Sequence, residues 1–69
     1  MLIRLDEQAL VDDLCAHFRR SGFTAESVGG GMVEVEAPSA PSDEEARRAV
    51  GQHLRVWQIA NPEARAELL

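Results

Sequence analysis

Apolar and polar residues alternate over Met1–Leu5, with Met1, Ile3 and Leu5 on one side and Leu2 and Arg4 on the other. A period of two predicts a short strand with one buried face. From Asp6 to Ser21 the period lengthens: Leu10, Val11, Leu14, Cys15 and Phe18 form one stripe, with Asp12, Asp13, Arg19 and Arg20 opposite. This predicts an amphipathic helix, with Asp6 as its N-cap and Gly22 as its stop. Phe23–Val28 and Met32–Ala37 read as two strands around Gly29-Gly30-Gly31. A three-residue loop pairs Ser27 with Val33, Glu26 with Glu34 and Ala25 with Val35. That register gathers Phe23, Ala25, Val33, Val35 and Ala37 on one face, with Ser27 its single polar member. Thr24, Glu26, Val28, Met32, Glu34 and Glu36 lie on the other, so turn length and burial pattern agree.

Ser42–Ala60 carries the fullest set of helix signals in the chain. Ser42 and Glu45 form a capping box, and Asp43 and Glu44 suit the positive end of the helix dipole. At about 100° per residue, Ala46, Ala49, Val50, His53, Leu54, Val56, Trp57 and Ala60 share one side, and Ile59 alone falls on the polar side. Asn61-Pro62 ends the helix, since the residue before a proline leaves the α region. The tail offers two readings, a short helix after Pro62 or a strand over Ala64–Leu69. The strand is preferred, because two half-exposed helices need a wider apolar sheet than a lone hairpin offers.

The resulting order, β-α-β-β-α-β, resembles a ferredoxin-like α+β sandwich: an antiparallel sheet of order 4-1-3-2 with both helices on one face. The alternative is α-β-β-α with a short C-terminal helix. The resemblance is one of fold alone, and that fold carries many unrelated functions.

At 69 residues the chain is expected to form one domain, burying only about 60% of its unfolded surface, so self-association would help it. One cysteine excludes an internal disulfide and four-cysteine zinc patterns, and suits a reducing, cytoplasmic setting. Met1–Leu5 is too short for a signal-peptide core, and no apolar run approaches the ~20 residues that span a bilayer. Twelve acids against seven arginines give a net charge of −5, which repels phosphate backbones and argues against nucleic-acid binding. The absence of Lys and Tyr beside abundant Ala, Arg and Gly resembles the coding bias of a GC-rich bacterium.

No catalytic, metal or cofactor site is expected. Cys15 and His17 are two apart on a helix and cannot share a metal or a proton. With antiparallel helices level at their midpoints, His17 and His53 lie about 8 Å apart along the axis at ~1.5 Å per residue. His17 is expected to pair with Asp13, and Cys15 and Trp57 to be core residues. Gly29-Gly30-Gly31 joins two strands, whereas phosphate cradles run from a strand into a helix N-terminus.

The unusual feature is the sheet face turned away from the helices. There Glu26 directly opposes Glu34, with Glu36 next in line, although like charges across a strand pair are destabilising. Arg4 is expected to offset them. Leu2, Val28 and Met32 share the face, which has no aromatic for stacking RNA bases. The expected function is therefore a non-enzymatic protein-interaction or regulatory module, a homodimer or a partner's binder, acting through this face (Leu2, Arg4, Glu26, Val28, Met32, Glu34, Glu36) or the Phe23–Val28 edge. A ferredoxin-like small-ligand sensor, with its site between the helices and the Pro38–Pro41 connector or at a dimer seam, is the second reading, and an enzyme the third.

Overall fold

A computed structural model covers Met1–Leu69. Four strands, β1 (Leu2–Leu5), β2 (Thr24–Gly29), β3 (Met32–Glu36) and β4 (Ala66–Leu68), and two helices, α1 (Val11–Arg20) and α2 (Asp43–Ala60), make a small α+β fold. All pairings are antiparallel and the sheet order is β2-β3-β1-β4, the expected order read from the other edge.

Strand alternation decides which side is buried. Ile3, Leu5, Ala25, Val33 and Val35 are buried, while their neighbours Leu2, Arg4, Glu26 and Glu36 are exposed. The stripes of both helices close on that inner side: Val11, Leu14, Cys15 and Phe18 from α1, and Ala46, Val50, Leu54 and Trp57 from α2. Thirteen residues form one continuous core, reaching from β1 to Ala64 ahead of β4.

The hairpin keeps the expected register at Thr24↔Glu36, Ala25↔Val35, Glu26↔Glu34 and Ser27↔Val33. A bulge then sets Gly29, not Val28, opposite Met32, and the turn uses positive φ at Gly29, Gly30 and Gly31. Gly31 has a second constraint, because a Cβ there would lie 2.6 Å from the Leu5 carbonyl oxygen. The glycine run therefore lets the turn fold down onto the end of β1, where the Leu5 N–H donates to the Gly31 carbonyl.

Three expectations are corrected. The first helix does not begin at Asp6: a 3-10 turn, Gln8–Leu10, precedes α1, and the Asp6 carboxylate instead accepts from the Arg65 backbone N–H at 2.7 Å. Asp6 thus ties the end of β1 to the entry of β4. Val56 is 60% exposed and Ala60 is also exposed, because both lie at the margin of the stripe, beyond what a narrow sheet ending in a three-residue β4 can cover. Ser42 does cap α2, accepting from the Glu45 N–H at 3.1 Å, but Glu45 pairs with Arg48 rather than reaching back. The tail is a strand, held to α2 through Gln58. Its Nε2 donates to the Ala64 carbonyl and its Oε1 accepts from the Ala66 N–H.

Candidate interaction surface

The uncovered side of the sheet collects the residues expected there, in rows fixed by the registers. One row runs Leu2, Glu34, Glu26, flanked by Leu69, whose N–H donates to the Leu2 carbonyl. The next runs Glu67, Arg4, Met32, with Val28 and the bulge beyond. Glu36 and Thr24 close the sheet at the far end. Leu2 is 37% and Val28 53% exposed; Leu69 is exposed, and Met32 and Glu34 are half-buried. A mixed apolar and acidic platform thus lies open across all four strands.

Arg4 does not play the part expected of it. It pairs with Glu67 on β4 at 2.5 Å, because β4 lies as close on one side of β1 as β3 does on the other. Glu34 and Glu36 are instead bridged by the Met1 amino group, at 2.6 and 3.2 Å. The Glu34 hydrogen bond is the main reason the amine's pKa rises above its ordinary value, against a smaller opposing effect of burial. From the opposite side Arg19 comes round the β2 edge. Its Nε donates to the Ala25 carbonyl at 2.8 Å, and it lines a shallow groove of about 320 Å³ with Thr24, Glu26, Glu34 and Glu36. Glu26 itself makes no salt bridge. The repulsion is moderated from two sides, yet the carboxylate at its centre stays unpaired.

Elsewhere the reactive side chains serve the packing. Cys15 is buried, and burial pushes its thiol pKa up, which disfavours the thiolate. His17 and His53 come closer than expected, with ring centroids 6.0 Å apart and the His17 Nε2–H donating to the His53 carbonyl at 3.0 Å. The helices do not meet at their midpoints: ten-residue α1 docks so that its last turn faces the middle of eighteen-residue α2. Phe18 and Phe23 complete an edge-to-face cluster, with Phe23 4.9 Å from His53. Asp13 does not pair with His17; it accepts from the Trp57 indole N–H at 2.8 Å. No three His, Cys, Asp or Glu side chains converge to hold a metal, and no helix is long and apolar enough to cross a membrane.

Sequence reasoning missed one surface feature: Val56 joins Ile59, 73% exposed, as an apolar pair one turn apart on the outer side of α2. It could have been found by centring the wheel on Val50 and Trp57. In the region where the small-ligand reading set its site, a cleft of about 290 Å³ lies between Ser21–Phe23, the Ala37–Ala40 connector and Ala49. Comparison of the chain with protein-family models, curated proteins and solved structures gives no match.

Proposed function

We propose that this chain is a non-enzymatic protein-interaction module whose binding surface is the open sheet face. The observation that carries the reading is Glu26: it stands directly across from Glu34 on an uncovered face and has no cation of its own. An arrangement that costs stability in the free protein is kept most readily where a partner relieves it. The matching partner presents apolar side chains to Leu2, Val28 and Leu69 and an arginine or lysine to Glu26. A second copy fits this face poorly, because it would set Glu26 and Glu34 against their own equivalents.

The test compares two pairs of changes made in exposed apolar residues. Leu2→Ser with Val28→Ser should abolish recovery of a partner bound by the wild type, while Val56→Ser with Ile59→Ser should leave it intact. The reverse pattern would move the binding surface to α2 and overturn the reading. The small-ligand reading draws support from the cleft beside the Ala37–Ala40 connector, whose size is at the lower end of ligand pockets. A metabolite screen by NMR in which no Phe23 or Ala49 signal moves would remove it.

A further inference from the structure

The long edge of the sheet is β2. It runs for six residues, pairing with β3 on one side and with no strand on the other, whereas the opposite edge, β4, has only three. An unpaired edge of this length is a template for another strand. In an antiparallel ladder successive residues point their backbone groups alternately towards and away from the neighbour. The Arg19 contact shows which way β2 is set: its guanidinium reaches the Ala25 carbonyl from the open side. Ala25 and Ser27 therefore carry the outward groups, and one of them is already occupied, at 2.8 Å, by a side chain of the last turn of α1.

We propose that Arg19 is a lock on this edge, and that the occupant it excludes is a second copy of the chain adding its own β2. The second element of the lock is Glu26. Antiparallel pairing of two β2 strands through Ala25 and Ser27 brings Glu26 opposite Glu26 of the other copy, on the same face where each already faces Glu34. Self-pairing thus has to displace a charge-assisted hydrogen bond and add a like-charge contact. Beyond Ser27 the bulge shifts the register, which shortens the usable edge to Thr24–Ser27. One backbone cap, one charge and one bulge together keep an otherwise regular edge single.

Sedimentation of Arg19→Met with Glu26→Thr tests this, since methionine keeps the aliphatic stem over β2 while removing the donor. The double variant should self-associate at least tenfold more tightly than wild type, with Ala25 and Ser27 amide exchange slowing as concentration rises. Each single variant should fall between. A double variant as monomeric as wild type, with unchanged exchange at Ala25 and Ser27, overturns the lock. So does a wild type that already protects those amides by pairing with Arg19 in place. If the double variant loses its fold by circular dichroism, Arg19→Lys with Glu26→Thr replaces it; a shift towards dimer smaller than tenfold but above wild type supports the lock, and none overturns it.

Discussion

At the scale of single residues, Trp57 and Ile59 separate the buried and exposed sides of α2 within two positions. Trp57 is almost wholly buried and Ile59 largely exposed, so Trp57→Ala should cost about 3–5 kcal/mol and Ile59→Ser almost nothing, as read by denaturant unfolding. Val56→Ser should match Ile59→Ser; a loss comparable to Trp57→Ala would mean that Val56 is core after all. Trp57→Phe keeps most of the packing but removes the donor to Asp13, and about 1 kcal/mol is expected for a partly exposed bond. Cys15 carries the chemistry prediction. Because burial favours its thiol form, a disulfide reagent at neutral pH should modify the folded protein far more slowly than the urea-unfolded chain. Equal rates would show that the thiol is reachable and reactive.

At the scale of elements, the sheet depends on side chains reaching from the other layer. β4 is too short to hold by its own ladder; Gln58 on α2 accepts from the Ala66 N–H within it, while Gln58 and Asp6 also hold the backbone of Ala64 and Arg65 just ahead of it. Gln58→Leu should therefore loosen β4 alone: the Ala66 amide should exchange at least tenfold faster while those of β3 hold. A uniform acceleration would mean that β4 unfolds only with the whole molecule. Much of the local structure was legible in the letters. The pairing of Glu26 with Glu34, the cap at Ser42 and the end of α2 at Asn61 follow from period, turn length or capping chemistry, and the strand in the tail from the width of sheet that two helices need. What was not legible passes between a side chain and backbone of another element. His17 to His53 depends on how far one helix slides along another, Asp6 to Arg65 on how the ends of β1 and β4 meet, and Arg19 to Ala25 on how β2 turns back under α1, none of which periodicity encodes. Arg4 was misassigned for the same reason: its face was readable, but not which flanking strand would offer the nearer acid.

At the scale of the whole molecule, the two layers divide the labour. The helical side and the inner sheet face hold one continuous core, while the outer sheet face holds the acids whose arrangement is poor for stability. If Glu26 is kept for a partner, the free protein should be better off without its charge. Thermal unfolding of Glu26→Gln tests this most directly. Relief of a cross-strand like-charge pair amounts to a few tenths of a kcal/mol, which in a domain of this size corresponds to a rise in Tm of about 1–4 °C, shrinking at high salt. A lower Tm would show that the Glu26 carboxylate supports the fold, and would contradict the account of this face as a surface held ready for binding.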